Sequence, residues 1–216
     1  MDFEWLSSLS LYTRISIWFT VVPVLFCIPV LFKMQQARLM FLLLLTGLFT
    51  ELSTQKAGVG SSYSYVVFLT YSIIECVVFT SVSLFGENSV RPKSLLISLV
   101  GSVGLVALCL VIFRASEWAI AIFNMVYQIV IAAFCGRNLL RKVETTPEPS
   151  SDATFWLHFG IFFYCFTTFF LMGIIGVSAK YKLWDPYHNT INIVTYIVYA
   201  CAFRIAMKDL RSRMTT

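Results

Sequence analysis

Seven runs of apolar residues, each about as long as a bilayer-spanning helix, constrain this chain more than any other feature of its sequence. A helix rises 1.5 Å per residue, so about 20 apolar residues cross a ~30 Å hydrocarbon core. The predicted spans are residues 15–32, 38–54, 63–85, 94–113, 117–135, 154–176 and 188–207. The longest connection, residues 136–153, contains RKVETTPEPSSD and is predicted to be a flexible loop. We therefore predict an all-α polytopic membrane protein with a single seven-helix transmembrane domain over residues 1–216.

The composition excludes several other classes. The chain is 58% hydrophobic and only 12% charged, whereas soluble domains contain about 25% charged residues. The net charge of +5 comes from basic residues scattered at the ends of the runs, so it does not indicate nucleic-acid binding. All six cysteines lie inside apolar runs without CxxC spacing, which favours buried apolar side chains over disulfides or metal ligands. We predict neither a metal nor another cofactor.

The distribution of Lys and Arg predicts the orientation of the chain in the membrane. If the N-terminus is outside, eleven of the 16 basic residues lie on the cytoplasmic side. Most Trp and Tyr residues near span ends then lie at the outer interface. Acidic residues at the N-terminus are unlike a signal peptide, so we expect the first run to be retained. The prediction is a multi-pass cell-membrane protein with its N-terminus outside and its C-terminus in the cytoplasm.

Two spans contain similar segments. LTYSIIEC at residues 69–76 of the third span resembles VTYIVYAC at residues 194–201 of the seventh. Both spans run from outside to inside, which suits two parallel three-helix units joined by the fourth helix. Chance similarity between two apolar segments is the alternative interpretation.

Two carboxylates inside the predicted spans are the first candidates for a functional site. A charged side chain in hydrocarbon is costly and normally faces the bundle interior beside a partner. Glu75 lies roughly 18 Å below the outer face, and Glu51 roughly 20 Å above the inner face, at 1.5 Å per residue. A structural interpretation stays open, with Glu51 reaching the interface and Glu75 protonated and bonded to a neighbouring helix.

Other polar side chains fall at similar depths on single helix faces. Together with the two carboxylates, these side chains are predicted to bind a small ligand. They are Tyr71, Asn124, Gln128, His188, Asn192 and Tyr196. Spacings of three and four residues place them in stripes. Converging stripes would form a polar pocket in the outer half of the bundle. Alternatively, such residues cross-link helices without binding anything.

The fourth span has a face of small residues, formed by Gly101, Ser102, Gly104 and Ala107. Small side chains let two helices approach closely. We expect this face to pack within the chain, and a contact between two copies of the chain is the alternative.

No catalytic motif accompanies these polar residues. The sequence lacks HExxH, GxSxG and any His-rich cluster, so the usual membrane hydrolase arrangements have no candidate residues. Lys208 lies at the inner end of the seventh span rather than at mid-membrane, which argues against a retinal Schiff base. The chain is predicted not to be an enzyme.

Three segments carry a resemblance: SYVVFLTYSIIECVVF, FWLHFGIFFYCFTTFFL and YHNTINIVTYIVYACAF. They resemble a group of small, uncharacterised bacterial seven-helix membrane proteins. Glu51, Glu75, His188 and Asn192 match the polar positions of that group. The resemblance implies the seven-helix architecture and these polar residues, but no activity. The architecture is also similar to that of SWEET-type sugar transporters, although the fifth and sixth spans lack the prolines of that family.

The leading hypothesis is a receptor-like or accessory subunit that uses its polar pocket to bind a small ligand or a partner. Short loops and the lack of an output domain require signalling through another membrane or cytoplasmic protein, or through a second copy. The alternative is a small-solute transporter, in one version proton-coupled with Glu75 as the titrating group. Under both hypotheses the chain is expected to be embedded in a lipid bilayer.

Overall fold

The computed structural model describes residues 11–57, 62–84, 92–112, 117–178 and 184–214. These residues form seven α-helices and two short 3₁₀ turns, and no strand occurs among them. The helices are α1 (Leu11–Cys27), α2 (Gln35–Ala57), α3 (Ser62–Leu84), α4 (Pro92–Ile112), α5 (Glu117–Thr145), α6 (Ala153–Ser178) and α7 (Trp184–Met214). The all-α prediction is therefore confirmed for the described part of the chain, with one helix for each predicted apolar run.

Five of these helices are long and apolar enough to cross a membrane: α2, α3, α5, α6 and α7. The apolar stretches of α1 and α4 are shorter: Arg14–Val30 covers most of α1 and the following 3₁₀ turn, and Leu96–Leu110 lies within α4. Pro29 lies in the 3₁₀ turn Ile28–Val30, directly after α1. A proline cannot supply the N–H that would continue an α-helix, so Pro29 explains why α1 ends at this point.

The fifth helix extends ten residues beyond its predicted end at position 135 and ends at Thr145. The added segment GRNLLRKVET is polar but rich in helix-forming residues, so the apolar run ends while the helix continues. The prediction of a loop over residues 136–153 is therefore wrong for its first ten residues. Asp152 then begins the next helix, because its Oδ1 accepts a 2.8 Å hydrogen bond from the backbone N–H of Thr154.

Helix α3 packs against α2, α4, α5 and α6. Six of them form a closed ring in which α1 packs against α2, α2 against α3, α3 against α5, α5 against α6, α6 against α7 and α7 against α1. Helix α4 lies outside this ring, against α3 and α5. Helix α3 also contacts α6. A polar side chain on the inner face of α3 is therefore surrounded by other helices.

The interior and the exterior of the bundle are both apolar. Large side chains such as Phe79, Phe123 and Leu157 are almost completely buried. Equally large ones are exposed on the outside, for example Trp18 at 73% and Phe32 at 86%. A soluble domain rarely exposes so much contiguous apolar surface, whereas lipid-facing helices do so routinely.

The small-residue face of α4 behaves differently from its prediction. Ser102 is buried, and its hydroxyl donates to the sulfur of Cys76 on α3 at 3.2 Å. A Cβ atom added at Gly101 or Gly104 would meet nothing within 4 Å among the described residues, and Ala107 is exposed. The expectation of close packing within the chain is therefore wrong for these three residues. Within the described part of the chain, α4 packs against α3 and α5, and the face with Gly101, Gly104 and Ala107 is open.

Candidate functional site

Glu75 is the residue around which the site is built. It is 3% exposed and is the only fully buried carboxylate in the part of the chain that the structure describes. It lies near the middle of α3, roughly 20 Å from the first residue of the helix and roughly 14 Å from the last. The predicted burial of Glu75 inside the bundle is therefore observed.

Tyrosine hydroxyls occupy both oxygens of this carboxyl group. Tyr71, one turn earlier on α3, donates to Oε1 at 3.3 Å. Tyr127 on α5 donates to Oε2 in a short hydrogen bond. Tyr164 on α6 also interacts with the carboxyl group through its hydroxyl. We call these four residues the Glu75 centre; it joins α3, α5 and α6.

Aromatic packing fixes two of the three tyrosine rings. The ring of Phe79 meets that of Tyr164 edge-on, with centroids 5.8 Å apart. The ring of Phe123 lies 5.1 Å from that of Tyr127 in a tilted arrangement. Both phenylalanines are 2% exposed or less, and such pairs hold aromatic side chains in defined orientations. The hydroxyl donors are thus positioned by the apolar core.

Two glycines make room for tyrosines around the centre. A Cβ atom at Gly47 on α2 would approach Cε2 of Tyr71 to 3.3 Å. At Gly160 on α6 it would come within 2.5 Å of Cε1 of Tyr199 on α7, which is closer than real Cβ contacts. The absence of a side chain at position 160 therefore allows α6 and α7 to approach with the Tyr199 ring between them.

Unpartnered polar atoms occur on the helix that supplies Tyr127. Asn124 and Gln128 are each 2% exposed and lie within one turn of Tyr127. Neither Oδ1 of Asn124 nor Oε1 of Gln128 has a hydrogen-bond partner in the described structure, and the same holds for the hydroxyl of Tyr199. Buried polar atoms normally have partners, and leaving one unpaired costs about 1–3 kcal/mol. Each of these atoms could therefore form a hydrogen bond with a polar ligand or a water molecule.

Among the described residues, the carboxyl group of Glu75 has no cationic partner. Its described interactions are those with tyrosine hydroxyls, and no Lys, Arg or His in the described part of the chain forms an ion pair with it. An isolated ionised carboxylate in an apolar interior is very costly. An ionised Glu75 would need a cation beside it, whereas a protonated Glu75 would need none.

Glu51 and Tyr196 lie next to this centre rather than in it. Tyr196 on α7 interacts electrostatically with Glu51, Glu75 and Tyr71. Glu51, on α2, is half-buried. Tyr196 therefore lies near both predicted carboxylates.

His188 and Asn192, both on α7, have different surroundings. The His188 ring packs against that of Tyr164, with centroids 6.5 Å apart. His188 therefore contacts the Glu75 centre through the Tyr164 ring. Asn192 is half-buried, and the structure describes no hydrogen bond between it and the centre. Of the eight predicted residues, Glu75 and Tyr71 are in direct contact, and Asn192 is the least connected.

Three tyrosines were absent from the predicted binding residues. Tyr127 and Tyr164 interact with the carboxyl group itself, and Tyr199 lies one turn beyond Tyr196. Their spacing offers a signal that could have identified them, because each lies in a polar stripe of its own apolar span. A phenol both fills core volume and donates a hydrogen bond, so it suits a buried carboxyl group.

A second polar group lies nearer the end of the bundle where α3 ends and α6 begins. The side-chain nitrogen of Asn138 donates to the carbonyl of Ser83 at 2.6 Å and lies 3.4 Å from Nε2 of His158. The Ser83 hydroxyl is 2.9 Å from the sulfur of Cys135. We call these four residues the end cluster; it joins the same three helices as the Glu75 centre.

An ion pair lies beyond the end cluster. Lys142 on α5 pairs with Asp152, the residue that caps α6. Partial burial opposes the ionisation of Asp152, but the hydrogen bonds from Lys142 and from the Thr154 N–H hold its pKa below the ordinary value of 3.8. This carboxylate is thus a charged partner of a lysine, unlike Glu75.

Neither group of residues resembles a metal site. Among the described residues, no three His, Cys, Asp or Glu side chains come together. The chemistry available at the Glu75 centre is therefore proton transfer, hydrogen bonding and attraction of a cation.

Comparison with family models, curated proteins and solved structures found no match for this chain. The arrangement of its own residues is therefore what supports a functional proposal.

Proposed function

We propose that this chain is an integral membrane protein with seven spans, its N-terminus outside and its C-terminus in the cytoplasm. Five long apolar helices, two shorter apolar stretches and an apolar exterior support the spans. The position of eleven of the 16 basic residues on one side supports the orientation.

Within this topology, the chain acts as a non-enzymatic receptor-like or accessory subunit that binds a small ligand at the Glu75 centre. One observation carries the proposal: in the described part of the chain the buried carboxyl group accepts hydrogen bonds from phenols alone, while the acceptor oxygens of Asn124 and Gln128, on the same helix as Tyr127, have no partner. A purely structural cross-link would be expected to satisfy these atoms within the bundle.

The chemistry of the centre selects the class of ligand. A carboxylate attracts a positive charge, and the free oxygens of Asn124 and Gln128 accept hydrogen bonds. A small protonated amine supplies both a charge and several N–H donors. The tyrosine rings suit the same ligand, since aromatic faces attract ammonium groups. We therefore infer a small organic cation in preference to an anion or a sugar.

The output of such a receptor would pass through another protein. Helices α5 and α7 have 29 and 31 residues and are therefore ~43 and ~46 Å long, more than the ~30 Å of hydrocarbon. Their final turns would project from the cytoplasmic face. A membrane or cytoplasmic partner, or a second copy of the chain, would bind there.

Infrared difference spectroscopy on the protein in nanodiscs tests this proposal. Methylammonium chloride is expected to change the carboxyl stretching band of the wild-type protein, with sodium chloride as the ionic control. Glu75→Gln should remove the change, because the amide cannot ionise. The matched control is Glu51→Gln, which alters the half-buried neighbouring carboxylate and should leave the change in place. An unchanged band in the wild-type protein, or an equal response in Glu75→Gln, would overturn the proposal.

The end cluster favours a second candidate, a proton-coupled small-solute transporter. It lies on the same three helices as Glu75 and about 12 Å further along α3, at eight residues from Glu75 to Ser83. The fully buried side chains of Phe79 and Ile161 lie on the intervening turns of α3 and α6. Two polar stations separated by an apolar layer would suit a proton that crosses in steps.

Proteoliposomes distinguish the two candidates. Flux of methylammonium, or proton flux reported by an internal pH-sensitive dye, should be absent with the purified protein alone if the chain is a receptor or accessory subunit. Sustained flux would overturn that role in favour of the transporter. If Glu75→Gln then left the pH dependence of uptake unchanged, Glu75 would not be the coupling group.

A further inference from the structure

A groove of about 550 Å³ lies between the last third of α7 and the segment that begins α6. Its lining includes Trp156, Cys201, Arg204, Ile205 and Lys208. Among the described residues that line it, none is acidic. The residues that line the groove are not among the described hydrogen-bond partners of Glu75.

One wall of the groove is held in place by specific contacts. The indole Nε1–H of Trp156 donates to the backbone carbonyl of Ser150 at 2.8 Å, so the 3₁₀ turn is tied to the start of α6. The Trp156 ring also packs edge-on against Phe159, with centroids 6.0 Å apart. The wall therefore consists of a fixed amphipathic ring beside a turn.

The opposite wall belongs to one stripe of α7, and the chemistry of this stripe changes along the helix. The stripe starts outside the groove with Val194 and Ile197, which are 39% and 47% exposed, and enters the groove at exposed Cys201; these three residues share one face at spacings of three and four. Arg204 and Lys208 continue the same face toward the helix end. About 10 Å of apolar surface thus runs directly into cationic surface, at 1.5 Å per residue.

Arg204 and Lys208 are available for an external anion. Both are exposed, and neither forms an ion pair with a residue in the described ranges. Arg211 lies one turn further along the same wall and adds a third positive charge to the groove. A single negatively charged group between Arg204 and Lys208 would complement this wall.

We propose that this groove binds an anionic phospholipid, with its phosphate between Arg204 and Lys208 and an acyl chain along Cys201, Ile197 and Val194. A free phosphate would use only the cations, whereas a lipid also covers the exposed apolar stripe. Trp156 lies at the level of the cations, as tryptophan does at the headgroup region of a bilayer. Basic pockets between helices at the cytoplasmic face are known to attract such headgroups. The proposal depends on membrane insertion but not on ligand binding at Glu75.

Native mass spectrometry of the full chain in detergent tests the site. The probes are phosphatidylglycerol and phosphatidylcholine with identical acyl chains, and phosphatidylglycerol is expected to remain bound preferentially. Each cation near a membrane surface changes affinity for anionic lipid about fivefold, so Arg204→Gln with Lys208→Gln should weaken binding about 30-fold. The matched control is Arg137→Gln with Arg141→Gln, which removes two exposed charges of α5 outside the groove and should change binding less than twofold.

Additional measurements distinguish a lipid site from an anion site and from unspecific surface attraction. Inorganic phosphate and glycerol 3-phosphate should not compete at concentrations equal to the lipid; effective competition would show an anion site and overturn the lipid assignment. Equal loss of binding in the two double variants would show unspecific surface attraction and also overturn it. Glu75→Gln should retain phosphatidylglycerol, so a failure at the Glu75 centre and a failure at the groove remain distinguishable.

Discussion

The carboxyl groups of Glu75 and Asp152 have opposite kinds of partners in the two regions of the bundle where they lie. Asp152 has a lysine and a backbone N–H as partners, and the end cluster beside it pairs Asn138 with Ser83 and His158. Glu75, on the same three helices, accepts its described hydrogen bonds from phenols alone. The side-chain oxygens of Asn124 and Gln128, on the helix that supplies Tyr127, lack partners in the described structure.

Depth in the bundle explains this difference. Near a helix end, water and long cationic side chains are accessible, so an acid is paired cheaply and contributes little. At mid-helix a lysine would itself have to be buried, whereas tyrosine donates a hydrogen bond without adding a charge. A functional site in this chain is therefore indicated by incomplete pairing rather than by polarity alone.

The largest effect is expected from Glu75→Ala, which removes the acceptor of at least two buried hydroxyls. Unfolding in mixed dodecyl maltoside and SDS micelles, followed by tryptophan fluorescence, should show a loss of about 2 kcal/mol. Glu75→Gln keeps an acceptor oxygen and should lose less than half as much. Equal losses in the two variants would contradict the idea that these hydrogen bonds stabilise the centre.

The next largest effect concerns Gly160→Ala. The new methyl group would overlap the Tyr199 ring, so the variant should lose about 1–2 kcal/mol through overpacking. Gly173→Ala lies on the same helix where a Cβ meets nothing within 4 Å among described residues, and should be neutral or stabilising by up to ~1 kcal/mol. The same micelle titration compares them, and identical behaviour would show that α6 and α7 are further apart than described.

Asn138→Ala tests the end cluster. It removes the donor to the Ser83 carbonyl, and an interhelical hydrogen bond in a membrane contributes about 0.6 kcal/mol on average. The loss should therefore be about 0.6–1 kcal/mol, clearly smaller than for Glu75→Ala. Arg137→Ala, at the exposed preceding position, serves as the control and should lose nothing measurable. A loss as large as that of Glu75→Ala would remove the proposed contrast between the two regions.

The smallest effect is expected from Asp152→Asn, which keeps a side-chain acceptor for Thr154 but removes the ion pair with Lys142. The loss at pH 7 should be below ~1 kcal/mol. Because the pKa of Asp152 is lowered by folding, its stabilisation is fully present above its ordinary value of 3.8 and is lost as pH falls through the lower folded-state pKa. The stability difference between wild type and variant, measured from pH 7 to pH 3, should therefore shrink only below about pH 4. A difference that already changed between pH 7 and pH 5 would contradict this assignment.

The sequence predicted the helices well and their ends less well. Apolar runs locate helices because lipid or core must cover them, but they report where hydrocarbon ends rather than where hydrogen bonding ends. This is why residues 136–145 were expected to be a loop although they complete α5. The opposite error concerned Gly101 and Gly104, since a small-residue face shows that close packing is feasible and not that a partner is present.

The site was predictable in part for a related reason. Glu75 and Tyr71 are identified by polarity at depth, and both belong to the Glu75 centre. Whether Tyr164 or Asn192 faces that centre depends on the rotation of α6 and α7 about their axes. Helices that are apolar on nearly all faces leave this rotation weakly specified by pattern. The packing of the Tyr199 ring against Gly160 likewise depends on the distance between α6 and α7, which cannot be predicted from either residue alone.

The unbroken length of α5 has a mechanical consequence. Tyr127 holds the carboxyl group of Glu75, and Thr145 ends the same helix 18 residues later, about 27 Å away. If ligand entry tilted this rod by about 5° around Tyr127, its far end would swing by roughly 2 Å, a displacement comparable to the helix shifts of known allosteric proteins. A protein bound to that end would be displaced with it, so ligand binding could be transmitted to the partner without transport of any solute.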